Sequence, residues 1–300
     1  MTDQPELIRL DDGRDLEVVR LGDPSGTPVV FHHGTPGAWS TARLFAPAMN
    51  DAGVTLYAYS RAGYGRSTPL TGRSISSVVS DVVQLRRHFG VSNYVAMGWS
   101  GGGPHSLACD ALDPECLGAI SLAGVAPFSE SFDWVAGMGP ENVQEFEAAR
   151  RGGEEFETGM EAASSELREI TGPDVASSLG GLVDRPDVLA LEDEAVADTL
   201  ARSFQDAFAL SARGMIDDDY AFVADWGFSL SSLTRPTHIW FGDADLMVPP
   251  THGQWLARET PGGVAVHFPE DGHISLLTRH WSQLAQAVVS MSTQSSEMGR

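Results

Sequence analysis

The sequence predicts an α/β fold, in which a mostly parallel eight-stranded sheet has helices on both faces and carries an inserted helical cap. The first observation is that short apolar runs alternate with helical patterns near both ends of the chain. Continuous apolar strands are typical of a parallel sheet covered on both faces. The second observation is that residues 127–234 contain no convincing strand. This interruption predicts the cap.

Six strands and three helices are predicted before the insertion. The turn residues Asp11, Asp12 and Gly13 separate the first two strands. Residues 74–89 repeat apolar side chains at helical spacing, which predicts an amphipathic helix. The predicted strands are residues 7–10, 16–21, 28–33, 54–60, 93–99 and 117–125, and the predicted helices are 41–50, 74–89 and 103–112.

The insertion is acidic, is interrupted by glycines and is rich in helical patterns. Its predicted helices are residues 142–150, 154–170, 188–191, 194–215 and 218–226. The core pattern then resumes with strand 237–242, helix 253–259, strand 264–268 and helix 274–289. We therefore divide the chain into a core of residues 1–126 and 235–292, a cap of residues 127–234, and a disordered tail of residues 293–300.

Composition excludes several classes of function. The chain has 19 basic and 41 acidic residues, a formal net charge of −22, which repels nucleic acids and anionic membranes. Cys109 and Cys116 form no C-x-x-C pair, and no ligand cluster is visible, so neither a metal nor an organic cofactor is expected. The N-terminus does not resemble a signal peptide, and no apolar run reaches the roughly 18 residues of a membrane helix. We expect a cytoplasmic protein, and the oligomeric state is not predicted.

A candidate nucleophile lies in the segment Gly98-Trp99-Ser100-Gly101-Gly102, between an apolar strand and a helix. This is the context of a G-x-S-x-G nucleophile elbow, in which a sharp turn lifts the serine oxygen clear of the sheet. The residues two before and two after the serine must be small, because their Cβ atoms would otherwise collide. The pattern predicts Ser100 as the nucleophile.

A serine hydroxyl needs a base, and the base needs an acid that holds its tautomer. His273 follows the last predicted strand in a glycine turn, whereas His267 lies within that strand and His280 on a helix. His273 is therefore the candidate base. Asp243 and Asp245 both follow strand 237–242, and either could serve as the acid.

A developing oxyanion requires preorganised N–H donors. The backbone N–H of Gly101, directly after the nucleophile, is one candidate. The turn after strand 28–33 reads His33-Gly34-Thr35-Pro36-Gly37, and because proline has no N–H, Thr35 is the natural second donor.

These motifs together resemble the α/β-hydrolase superfamily over nearly the whole chain. The matching segments are HHGTPG, YSRAGYGRS, GWSGGG, FGDADLMVP and DGHISLL, in the order and spacing typical of that superfamily. The resemblance implies Thr35 as an oxyanion donor and Asp245, three residues after the glycine that ends its strand, as the acid. The HGTPG turn and the large cap are similar to proline iminopeptidase-like hydrolases, although the elbow is G-W-S-G-G rather than the G-G-S-W-G frequent among them.

The leading functional hypothesis is hydrolysis of a small-molecule carboxylic ester, or a related acyl bond, through an acyl-enzyme. An aminopeptidase similar to proline iminopeptidase is the alternative, and it would need cap carboxylates that bind a substrate amine. A ligand-binding protein with a vestigial triad is the third hypothesis, and a cofactor-free peroxidase or C–C hydrolase is also compatible with such a scaffold. The carboxylates offered by the cap are Glu141, Glu145, Glu147, Glu154, Glu155, Glu157, Asp217, Asp218 and Asp219.

The cap is expected to supply an apolar pocket that excludes water during acylation. Trp99, beside the nucleophile, is an expected wall of this pocket. Phe128 and Trp134, at the start of the cap, are expected to line it as well.

Overall fold

The computed structural model describes residues 4–129 and 132–298, and the eight strands of that part form one sheet in the order β1-β2-β4-β3-β5-β6-β7-β8. Pairs β1·β2 and β2·β4 are antiparallel, and the other neighbours are parallel. The predicted mostly parallel, eight-stranded sheet is confirmed. The strands are β1 Glu6–Arg9, β2 Asp15–Leu21, β3 Thr27–His32, β4 Val54–Ser60, β5 Tyr94–Trp99, β6 Cys116–Leu122, β7 Thr237–Gly242 and β8 Val264–Phe268.

The sheet separates two apolar clusters. Along β3, Val30 belongs to one cluster and Val29 and Phe31 to the other, because successive side chains of a strand point to opposite faces. Every residue of β4 and β5 is buried, which explains their continuous apolar sequences. The first cluster is covered by α2 Val78–Phe89, α3 Gly102–Leu112 and α10 Pro250–Glu259, and the second by α1 Ala46–Asp51, α11 His273–Arg279 and α12 Trp281–Met298.

The register of the parallel strands brings four loops to one edge of the sheet. His32 at the end of β3 pairs with Gly98, Trp99 at the end of β5 pairs with Leu122, and Gly242 pairs with Phe268. The loops after β3, β5, β7 and β8 therefore meet beyond the carboxyl ends of their strands, where ligands of open α/β sheets bind.

Residues 127–234 contain helices and no strand in their described part. The helices predicted over 194–215 and 218–226 are divided at a different place in the structure: α8 Glu194–Ala207 ends at an irregular turn, and α9 Arg213–Val223 begins after it. The helical spacing of apolar residues continues through this turn, so the break has no sequence signal. Two contacts from α5 Glu154–Leu167 and its C-cap residue hold the turn: Arg168 Nε donates to the carbonyl of Phe208 at 2.9 Å, and Glu161 accepts the N–H of Ala212 at 2.8 Å. The helices are α4 Pro140–Arg151, α5 Glu154–Leu167, α6 Val175–Leu179, α7 Arg185–Leu191, α8 Glu194–Ala207 and α9 Arg213–Val223.

Three other expectations also change. Helix 41–50 is a 3₁₀ turn, Trp39–Leu44, followed by α1, because Pro47 has no N–H and occupies the first turn of a new helix. Helix α6 was not predicted. The tail predicted to be disordered from residue 293 is a continuation of α12 to Met298, while residues 299–300 lie outside the described part. Within the described residues, no helix is long and apolar enough to span a membrane.

Candidate active site

Ser100 lies on a strained turn between β5 and α3. Its φ of 56° is in the left-handed region, which a non-glycine residue adopts only when its surroundings hold it there. A Cβ on Gly98 would collide with the carbonyl oxygen of Gly102, and a Cβ on Gly102 would collide with the carbonyl oxygen of His32. These contacts are with backbone atoms, which cannot move aside as flexible side chains do. Small residues are therefore required on both sides of the serine, because a Cβ there would overlap backbone atoms.

His273 lies at the start of α11, and its imidazole Nδ1 is 2.8 Å from Oδ2 of Asp245. Both side chains are buried, each about 1% exposed. Burial alone would lower the pKa of His273, but the charge and hydrogen bond of Asp245, with a smaller contribution from Asp187, raise it above its usual value. Trp99 Nε1 donates to the backbone carbonyl of His273 at 3.2 Å and holds the turn against the elbow.

The second aspartate of the same loop has no contact with this histidine. Asp243 is exposed and pairs instead with the exposed His267 at 2.7 Å. Asp245 is held by its own loop, since its Oδ1 accepts the N–H groups of Met247 and Val248 at 2.9 and 2.7 Å. The geometry thus places Asp245, the aspartate that the resemblance implies, beside His273, and pairs Asp243 with His267 instead.

The turn after β3 borders the nucleophile. A Cβ on Gly34 would lie 3.3 Å from the Cβ of Ser100, and a Cβ on Gly101 would collide with Oγ1 of Thr35. Thr35 and Gly101 are therefore neighbours, and both line the same cavity as Ser100. The structure brings together every residue that the sequence singled out for the triad and the oxyanion donors.

A cavity of about 180 Å³ opens beside Ser100. One side of the cavity is lined by Ser100 and its neighbours from the loops beside it, namely Gly34, Thr35, Trp99, Gly101 and His273. Most of its remaining wall is apolar and comes from the insertion and the loop after β7. The main side chains of that wall are Phe146, Leu167, Leu182, Leu200, Phe204, Met215, Phe222 and Met247.

Comparison with known proteins agrees with this architecture. Residues 27–280 match the family model described as alpha/beta hydrolase fold. The chain belongs to the α/β-hydrolase fold family. The chain is similar to a proline iminopeptidase from Xanthomonas citri, with 32% identity over 126 residues that cover 41% of this chain and 40% of the relative. It spans about a third to two fifths of the length of the curated relatives it matches.

Solved structures extend the likeness over nearly the whole chain. A hydrolase from Pseudomonas aeruginosa PA01 has a TM-score of 0.70 at 18% identity and covers 97% of this chain and 99% of its own. An esterase from Exiguobacterium antarcticum has a TM-score of 0.70 at 20% identity, with coverage of 95% and 97%. At such identities these structures show the shared fold alone.

Two of the three aromatic residues expected in the pocket do not line the cavity. Trp99 does, but the expectation for Phe128 and Trp134 is wrong. The Trp134 ring packs behind Phe146 at a centroid distance of 4.7 Å, and Phe146 is the side chain that faces the cavity. Phe128 lies farther out, 5.9 Å from Trp134 and beneath the guanidinium of Arg150 at 4.5 Å. Both residues follow β6 closely in sequence, but this position does not indicate whether a side chain lines the cavity or packs behind one that does.

Two carboxylates interrupt the apolar wall of the cavity. Asp219 is fully buried, and neither of its carboxylate oxygens has a hydrogen-bond partner within the described residues. Glu145 lines the same cavity from α4. Burial raises the pKa of Glu145 to about 7, and burial together with the negative charge of Glu145 raises that of Asp219 well above its usual value. The two groups therefore favour a state in which they hold at least one proton.

A buried ionic cluster fastens the insertion to the turn after β3, and the sequence did not predict this cluster. The fully buried Asp218 of α9 pairs with Arg61 at 2.6 Å and with Arg73 at 2.5 Å. It also accepts the hydroxyl groups of Thr35 at 2.7 Å and of Tyr64 at 2.8 Å. Burial alone would raise the pKa of Asp218, but the two guanidinium groups hold it well below its usual value. The only sequence features related to this cluster are Arg61 in YSRAGYGRS, Arg73 in TGRS and the acidic run that contains Asp218. In most proteins such an acidic run is a solvated helix face.

No group of three or more His, Cys, Asp or Glu side chains in the described ranges is arranged to hold a metal ion. Cys109 and Cys116 are buried and unpaired, and burial raises the pKa of both thiols.

Proposed function

We propose that this protein is a serine hydrolase that cleaves small acyl compounds through an acyl-enzyme, with Ser100 as nucleophile, His273 as general base and Asp245 as orienting acid. The observation that carries the proposal is the buried Asp245–His273 pair at the edge of the cavity that Ser100 also lines. An aspartate at Nδ1 leaves Nε2 of the imidazole free to accept a proton from a serine hydroxyl.

The reaction follows from these positions. Ser100 Oγ attacks the substrate carbonyl carbon while His273 takes the hydroxyl proton, and the N–H groups of Gly101 and Thr35 receive the oxyanion. His273 then returns the proton to the leaving group, and the acyl group stays on Ser100. Water activated by the same imidazole hydrolyses the acyl-enzyme. Asp245 stays ionised throughout and stabilises the imidazolium that forms in each half-reaction.

The helical insertion acts as the cap in this proposal. Its side chains supply most of the apolar wall and cover the nucleophile, which strengthens electrostatic contacts by keeping water out. The cavity volume of about 180 Å³ favours a small acyl group. A carboxylic ester is the substrate that this apolar wall fits best.

A second candidate function, removal of an N-terminal residue from a short peptide, is favoured by the acidic pair. The unpartnered carboxylate of Asp219 in the cavity is costly unless a ligand supplies donors to it. A substrate ammonium group would pair with Asp219 and Glu145 and replace the proton that burial favours on these carboxyl groups. The matching relatives named proline iminopeptidase point to the same alternative.

Parallel assays separate the two functions. We expect wild-type protein to hydrolyse p-nitrophenyl butyrate faster than proline-β-naphthylamide, and Ser100→Ala to abolish the reaction. Asp219→Asn should leave ester hydrolysis within severalfold of wild type, as should Glu147→Gln, a matched control that is exposed on the same helix as Glu145. Faster amide cleavage that is lost in Asp219→Asn but kept in Glu147→Gln would establish the aminopeptidase instead. Turnover that survives Ser100→Ala would contradict both.

A further inference from the structure

The first turn of α11, which carries His273, is held by a carboxylate from the insertion. Asp187 on α7 is fully buried. Its Oδ2 accepts the backbone N–H of His273 at 2.8 Å, and its Oδ1 accepts the N–H groups of Ile274 and Ser275 at 3.0 and 2.8 Å. The hydroxyl of Ser275 donates to the same Oδ1 at 2.9 Å. One side chain thus binds three consecutive backbone groups, beginning at the candidate base.

These contacts satisfy a requirement that the helix cannot meet by itself. The first N–H groups of a helix have no partner within the helix, and they form the positive end of its dipole. All four contacts of Asp187 are with donors, which suits the acceptor-only carboxylate form. Charge-assisted hydrogen bonds of this kind are about twice as strong as neutral ones. The approach is also close, since a Cβ on Gly272 would lie 2.6 Å from Oδ2 of Asp187.

We propose that Asp187 is a positioning residue for His273, and that through it the insertion helps to set the orientation of the base. The inference rests on the proposed function, in which His273 is the base. Asp187 touches the backbone of residue 273 and not its imidazole, whose Nδ1 is occupied by Asp245. Asp245 therefore selects the tautomer, while Asp187 fixes where the ring is anchored.

The charge of Asp187 has a second effect, on the protonation of the base. The charged groups around His273 are Asp245 at its imidazole, Asp187 at its backbone, and Glu145 and Asp219 across the cavity. Both Asp245 and Asp187 raise the pKa of His273, Asp245 more strongly. Burial raises the pKa of Asp187, while its hydrogen bonds from Ser275 and the nearby His273 oppose that rise. Removing the Asp187 charge should therefore lower the pKa of His273.

A purely structural role for Asp187, in which it only docks the insertion on the core, makes a different prediction. Loss of docking would lower the free energy of unfolding and leave the titration of His273 unchanged in the folded fraction. The pH profile of the serine's reactivity therefore distinguishes positioning from docking.

The test uses the full-length protein and a fluorophosphonate probe, with the rate of adduct formation on Ser100 measured by intact mass between pH 5 and 9. In Asp187→Asn we expect the plateau rate to fall by about 10- to 100-fold, because small displacements of a catalytic group have effects of that size. The acidic limb of the profile should move to lower pH. Asp184→Asn is the matched control, since it is the same substitution at the exposed N-cap of the same helix, and it should match wild type.

Gly272→Ala provides an independent perturbation. Its Cβ would displace the Asp187 carboxylate without changing any charge, and we expect a smaller loss of rate in the same direction. If Asp187→Asn does not fold, the rate and pH profile of Gly272→Ala alone decide between a positioning role and a docking role. A folded Asp187→Asn or Gly272→Ala with the wild-type rate and acidic limb would overturn the inference while the proposed function stands. Absence of a Ser100 adduct in wild type would instead overturn the proposed function, and this inference with it.

Discussion

The Asp245→Asn variant tests the orientation of the base, because the two oxygens of Asp245 have different partners. Oδ1 accepts the N–H groups of Met247 and Val248, and Oδ2 meets Nδ1 of His273 at 2.8 Å. An asparagine has one oxygen, and the two backbone donors hold it on their side. Its NH₂ group then faces Nδ1, which must become the acceptor. The proton moves to Nε2, and His273 can no longer accept one from Ser100.

We expect this wrong tautomer to lower the rate of Ser100 phosphonylation and of p-nitrophenyl butyrate hydrolysis by about 10³- to 10⁴-fold. This corresponds to about 4–5.5 kcal/mol of lost transition-state stabilisation. Asp243→Asn is the control, because the exposed Asp243 pairs only with His267, and it should stay within about twofold of wild type. A folded Asp245→Asn variant no slower than Asp243→Asn would refute the assignment of the acid.

Three further predictions concern stability and pH. Gly98→Ala should lower the free energy of unfolding in urea by about 1–3 kcal/mol because its Cβ meets backbone atoms, whereas Gly159→Ala, at an open helical position, should raise it by about 0.5–1 kcal/mol. Asp218→Asn should cost about 3–5 kcal/mol in the same measurement, since it leaves Arg61 and Arg73 buried with no opposing charge; a loss below about 1 kcal/mol would contradict this. The base must be neutral to act, and the pKa of His273 is raised, so kcat/KM should decline as pH falls, with a midpoint above 6.5.

The parts of the site that the sequence predicted are those fixed by local geometry. The sequence predicts the position of Ser100 because a tight strand-to-helix turn requires small residues at Gly98 and Gly102, and that requirement is visible in five consecutive residues. It predicts the position of His273 because this residue follows the last strand in a glycine turn. Parallel strands bring the loops that follow them to one edge of the sheet, so the position of these residues directly after predicted strands was enough to expect them together.

The parts that the sequence did not predict depend on contacts between distant segments. Asp218 belongs to an acidic run that is typical of a solvated helix face. Only the packing of α9 against the turn after β3 shows that the Asp218 side chain is buried. Asp187 is 86 residues from the backbone group it binds, and no local pattern links the two. Phe128 and Trp134 were misplaced because residue type predicts burial but not which layer faces the cavity. Such information lies in tertiary packing, which overrides local propensity.

Covalent labelling of Ser100 tests the central claim most directly. We would treat the full-length protein with a fluorophosphonate probe, read the intact mass and map the modified peptide, with His273→Ala in parallel. The account predicts a single adduct on Ser100 in wild type and none, on the same time scale, in the variant. An unmodified wild-type protein, or an adduct on another residue that is unaffected by His273→Ala, would contradict it.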